Sequence, residues 1–149
     1  DELKTMDIMP MKWLAIDETV PQNSDTKSQL NETEEMLRLQ IVIGHESNIS
    51  NSGSVITYDS GSRVWLPNPY YEIPYMAALS QVKSRSTGSV VSSSFNCDSN
   101  CYDISSPGWY INNEAGDYRT EGYHYGTHTA GYQPPNYAFN TSTSWRYVP

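Results

Sequence analysis

After Phe95 the chain nearly stops using aliphatic side chains. Of Ile, Leu and Val, only Ile104, Ile111 and Val148 occur between Asn96 and Pro149, where Gly, Tyr, Asn, Ser and Thr take over. A segment of that composition cannot hold a core of its own. Ordering each residue costs about 1–2 kcal/mol of backbone entropy, which buried apolar surface has to offset. The sequence therefore divides into residues 1–95, which carry the aliphatic core of a β domain, and residues 96–149, a Tyr/Gly/Ser-rich turn and tail segment that must pack on that core or on a neighbouring subunit. At 149 residues both parts belong to one domain by size.

In the first part the hydrophobic period is two. Leu37, Leu39, Ile41 and Ile43 alternate with Arg38, Gln40, Val42 and Gly44, so Met36–His45 reads as a strand with one buried face. Met11–Asp17 is a short apolar run after Pro10 and reads as an earlier strand. Asn31 and Glu34 have capping-box spacing, over too short a stretch for more than a helical turn. His45–Ser54 reads as a polar connection with a turn near Asn51–Gly53. Ser54–Asp59 and Arg63–Leu66 read as two strands separated by Ser-Gly-Ser, the second ended by Pro67 and Pro69. Pro74 forbids a helix and assigns any strand through it to a sheet edge or a bulge. Gln81–Arg85 and Ser89–Phe95 make a hairpin around Gly88. Short strands between turn signals predict a mainly β fold: an antiparallel β-sandwich or jelly-roll-like domain with a long irregular aromatic-rich C-terminal segment.

One stretch adds a resemblance. SGSRVWLPNPYYEIPYMAALS carries Tyr71, Ile73, Pro74 and Tyr75. It resembles the part of picorna-like virus capsid proteins in which an aromatic/aliphatic strand ends in an Ile/Val-Pro-Tyr step. The resemblance covers roughly twenty of the 149 residues, and the tyrosine-rich C-terminal third departs from that family's pattern. A virion subunit is what it implies.

The net charge of −8 leaves no basic footprint, which argues against a nucleic-acid partner. No run of about 18 apolar residues occurs, so no membrane span is expected. Charged residues are 17% of the chain, below the usual ~25%, and Ser, Thr, Asn and Tyr fill the gap. Neutral polar composition of this kind fits an extracellular, cell-surface or virion protein. The start at Asp1 reads as that of a processed chain. Asn31, Asn48 and Asn140 lie in N-x-S/T sequons, which become glycosylation sites in a secretory pathway. Cys97 and Cys101 have three residues between them and in an oxidising compartment would close a small local disulfide or stay as inert thiols.

The segment EGYHYGTHTAGYQPPNY concentrates the candidate chemistry. His124 and His128 have the offset that places two metal ligands on one helix face, but Gly122, Gly126 and Gly131 disfavour a helix. In a strand the two rings would lie about 13 Å apart, too far for one metal. No metal or cofactor is expected. In an extended chain Tyr123, Tyr125, Thr127 and Thr129 line one face, with His124, Gly126, His128 and Ala130 on the other. A Tyr/Thr face serves cross-strand packing, a subunit contact or the stacking of a sugar ring. Tyr132, Tyr137, Trp145 and Tyr147 are further aromatic anchors for an interface or a stacked ligand, with Phe139 beside them in the tail. No G-x-S-x-G elbow, P-loop or G-x-G-x-x-G is present, so enzyme activity has no positive support. The expected function is a non-enzymatic structural subunit of an extracellular or viral assembly of capsid or filament type, contacting copies of itself or other subunits. The alternative is a secreted carbohydrate-binding module that uses the tyrosine-rich face.

Overall fold

The computed structural model describes residues 40–149. Over these residues the chain is mainly β, with antiparallel sheets and no helix. The strand expected at Met11–Asp17, the turn at Asn31–Met36 and the sequon at Asn31 lie outside the described residues.

The strands are β1 (Val42–Ser52), β2 (Val55–Leu66), β3 (Ile73–Ser84), β4 (Val90–Cys101), β5 (Asp103–Ser105), β6 (Gly108–Ile111), β7 (Gly116–Thr127), β8 (Asn136–Ser142) and β9 (Arg146–Val148). A four-stranded sheet runs β1-β2-β5, with β6 also on β2. A five-stranded sheet runs β4-β3-β7-β8, with β9 also on β7.

Several elements differ from the sequence expectation, each for a physical reason. The core strand begins at Val42 and runs through the stretch expected to be a polar connection. Its inward positions His45 and Ser47 find hydrogen-bond partners inside, so their polarity does not expel them. The turn falls where expected: Ser52 pairs with Val55 around Gly53, whose φ of 60° suits glycine at the first position of a two-residue hairpin. Ser60-Gly61-Ser62 does not interrupt β2. These residues pair with Ser47, Glu46 and His45 in one continuous ladder. Pro74 does not place β3 at an edge. β3 is central, and its ladder to β7 starts only at Tyr75, so the missing N–H of Pro74 falls before the first rung. The β3–β4 hairpin turns near Gly88 as expected, with longer arms. Residues 96–149 are not irregular: β5 to β9 lie within them, and β7 is inserted between β3 and β8. The segment lacks aliphatics because its own inward positions are Tyr, His, Thr and Gly, packed on the aliphatic residues of β1 to β3.

The inner faces of the two sheets meet in a core of two apolar clusters. Ile41, Ile43, Val64, Ile73, Met76 and Tyr137 belong to the first. Ile49, Ile56, Tyr58, Val82, Tyr118 and Val148 belong to the second. Between them lies a buried belt of hydroxyls and imidazoles. His45 Nδ1 is hydrogen-bonded to Ser62 Oγ at 2.7 Å, and Ser62 Oγ to His124 Nδ1 at 3.1 Å. His124 Nε2 meets Thr141 Oγ1 at 2.8 Å, and Thr141 Oγ1 meets Ser47 Oγ at 2.6 Å. Ser47 Oγ then reaches Ser60 Oγ at 2.8 Å. The Ser62–His124 and Ser47–Thr141 bonds join one sheet to the other. Gly122 makes this approach possible, since a Cβ there would sit 2.5 Å from both Ser47 Oγ and Ser60 Oγ.

Candidate functional site

The second sheet turns its other face to solvent, and alternation along each strand decides what that face carries. β7 points His124 and Gly126 into the core and Tyr123 and Tyr125 outward. The ladders then fix the neighbours. Leu79 pairs with Phe95 on one side and Tyr123 on the other, and Tyr123 pairs with Asn140. The next outward row is Cys97, Ala77, Tyr125 and Ala138. The first row, Phe95, Leu79 and Tyr123, ends at the polar Asn140 on β8, and the second, from Cys97 to Ala138, crosses all four strands. Phe95 is 61% exposed, Tyr125 44% and Tyr123 37%. The rings of Tyr75 and Tyr125 meet edge-on with centroids 6.2 Å apart, which stiffens the patch.

A charged border closes one end of this face. Lys83 Nζ lies 3.2 Å from Glu121 Oε1, and Arg119 donates to Glu121 Oε2 at 2.7 Å. Burial pushes the Glu121 carboxyl up, but hydrogen bonds from Arg119 and Lys83 outweigh it and hold the group below the usual carboxylate value. Arg119 lies over the Trp145 ring at 4.5 Å and Arg85 at 5.4 Å, so the indole is clamped against the guanidinium groups. Arg85 also approaches Asp117, at 3.6 Å.

The structure thus gathers Tyr123, Tyr125 and Trp145 on or beside one outward face. Tyr147 is exposed on β9 opposite Asp117, near that border. Tyr132 and Tyr137 are elsewhere: both are buried in the first core cluster. Tyr137 fills the space that the missing side chain of Gly126 leaves. Asn140 is exposed beside Tyr123, whereas Asn48 is half-buried and donates to Asp59 Oδ1 at 3.0 Å. Cys97 and Cys101 are separate thiols, the first exposed and the second buried.

The histidines gather inside the fold, where His45, which the His124/His128 spacing does not involve, joins them. His45 and His124 have ring centroids 4.9 Å apart, and Tyr137 lies 5.2 Å from His45 and 5.5 Å from His128. The signal was available: Ile43, His45, Ser47 and Ile49 share one strand parity, so His45 had to point inward. Burial holds all three imidazoles below their ordinary value, His124 and His128 at about 4. Neutral rings of this kind brace the inter-sheet belt. Among the described residues no group of three or more His, Cys, Asp or Glu side chains is placed to hold a metal ion.

No protein-family model, no curated protein and no solved structure matches this chain.

Proposed function

We propose that the chain is a non-enzymatic structural subunit of an extracellular or viral assembly of capsid or filament type. In this reading the two sheets form a β-sandwich of jelly-roll kind. Copies of the chain, or other subunits, join through the outward face of the second sheet. The observation that carries the reading is the patch formed by Phe95, Leu79 and Tyr123 together with the neighbouring row from Cys97 to Ala138. Contiguous exposed apolar surface marks interaction sites, and Tyr and Phe are the residues that interfaces enrich. The neutral polar composition and the short Tyr71–Tyr75 resemblance point the same way.

The same rings serve the alternative, a carbohydrate-binding module, less well. Glu121, the carboxylate nearest Tyr123, is already engaged by Lys83 and Arg119. A sugar stacked there would find few open polar partners, whereas a partner subunit needs only shape and apolar area. Asn140 shares a row with Tyr123, so a glycan on it and a subunit on this face exclude each other.

Sedimentation velocity over a concentration series tests the reading. Self-association is expected, and it weakens by tenfold or more, about 1.4 kcal/mol, on changing Phe95→Ser and Tyr125→Ser together. A monomer at every concentration, or association untouched by the double change, would overturn it.

A further inference from the structure

The first sheet has an outward face of a different kind. Where β1 and β2 pair Glu46 with Gly61 and Gly44 with Arg63, the surface sinks into a cleft of about 430 Å³. That volume lies in the ~300–1,000 Å³ range of small-molecule sites, toward its small end. Glycine makes the depression twice. Gly61 leaves the floor open beside β5, where a Cβ would come 2.7 Å from the Ile104 carbonyl oxygen. Gly44 lets the Trp65 indole lie directly on the backbone, because any Cβ there would run into the ring. Trp65 therefore forms a wall of the cleft and remains 43% exposed.

Glu46, Asp59, Arg63 and Asp103 are the charged residues of the lining. Asp59 accepts from the Asn48 side chain at 3.0 Å. The others stand open. Arg63 and Asp103 face each other across the β2–β5 ladder, yet the ion pairs among the described residues are those of Lys83, Arg85 and Arg119. Among the described residues no side-chain hydrogen bond engages Glu46, Arg63 or Asp103 either. One cleft thus combines an indole wall, an uncommitted guanidinium and uncommitted carboxylates.

The geometry points to a binding site for a neutral saccharide in this cleft. A sugar hydroxyl both donates and accepts, so adjacent hydroxyls can donate to Glu46 or Asp103 while accepting from Arg63. The C–H face of the ring, which has no hydrogen-bonding demand, fits against Trp65. The balance of charge selects among sugars. Three carboxylates face one guanidinium, so an acidic sugar or a phosphate is repelled and a neutral one is not. The site is separate from the tyrosine face on the other sheet and does not depend on that face making subunit contacts.

Two-dimensional ¹H–¹⁵N NMR of the full chain, titrated with neutral and sialylated oligosaccharides at millimolar concentration, tests this. Neutral oligosaccharides are expected to shift the Trp65 indole N–H and the Gly61 amide. Arg63→Met, which keeps the aliphatic stem, is expected to weaken binding about tenfold, the size of one charge-assisted hydrogen bond. Trp65→Ala is expected to abolish it; should that variant fold poorly, Glu46→Gln provides an independent loss of affinity on an exposed side chain. The proposal is overturned if no neutral oligosaccharide moves Trp65, if sialylated ones bind as tightly, or if the shifts fall on Tyr123 and Tyr125 instead.

Discussion

Acid should loosen this fold well above the pH at which its carboxylates titrate. His124 and His128 have pKa values of about 4 in the fold against 6.5 for an ordinary imidazole, and burial is the cause. His45 lies well below 6.5 too, through burial and then the repulsion of His124 and His128. A lowered folded value means the unfolded chain takes up the proton first. The stability these rings contribute is therefore complete above pH 6.5 and drains away as pH falls toward 4. The groups facing them offer an imidazolium little help. His124 bonds to the hydroxyls of Ser62 and Thr141, and the two ring nitrogens of His128 have no hydrogen-bond partner among the described residues. Tyr137 and Phe139 supply the aromatic walls. Between pH 7 and pH 5 the loss comes to about 2 kcal/mol for each of His124 and His128, or about 4 kcal/mol for the pair. That is a large part of the 5–15 kcal/mol that holds a typical domain folded. Two other effects do not imitate it. The Glu121 carboxyl is held below its ordinary value of 4.5 and stays ionised at pH 5. Lowering the net charge of −8 relieves self-repulsion and would raise stability. Guanidinium denaturation at pH 7, 6 and 5, followed by tryptophan fluorescence, reads the drop directly. His124→Gln with His128→Leu should flatten most of it. Equal unfolding free energies at pH 7 and pH 5, or a pH slope undiminished by the double change, would refute the assignment of neutral, buried imidazoles; a smaller slope from His45 remains.

Two further outcomes test the packing. Gly122→Ala places a methyl 2.5 Å from two hydroxyl oxygens of the inter-sheet belt, so it should cost about 2–3 kcal/mol by overpacking and a strained hydrogen bond; a denaturation midpoint unchanged from the parent would mean the sheets do not approach so closely there. With a thiol reagent, Cys97 should react at once in the native state and Cys101 only on unfolding, since burial pushes the Cys101 thiol up to about 11; an intact mass lower by two hydrogens would instead show a bridge between them.

Much of the fold was legible, and what was lost has one cause. The parity of Ile41 and Ile43, the hairpin around Gly88 and the turn at Gly53 were visible because apolar alternation and glycine punctuation mark them. His45–Ser52, the middle of β2 and the first half of β7 carry no apolar alternation because their inward residues are polar, whereas the Tyr/His alternation of Gly122–Thr127 marks an extended segment. Yet the same period of two runs through them in another alphabet: His45 and Ser47, Ser60 and Ser62, Gly122 and His124 with Gly126. Ser62 of β2 is answered by His124 of β7 and Ser47 of β1 by Thr141 of β8, while His45 and Ser60 bond to Ser62 and Ser47, and hydropathy gives no weight to such answers. Burying a polar group costs little once its partner is built, and a great deal otherwise. A belt of this kind therefore binds the sheets into one register, because a slip of one strand by one residue would turn its polar groups outward and leave their partners on the facing strands buried and unpaired. The candidate sites follow from the same parity. Once His124 is committed inward, Tyr123 and Tyr125 must face out. Once His45 and Ser62 are committed inward, Glu46 and Arg63 must face out, on either side of the glycines that open the cleft.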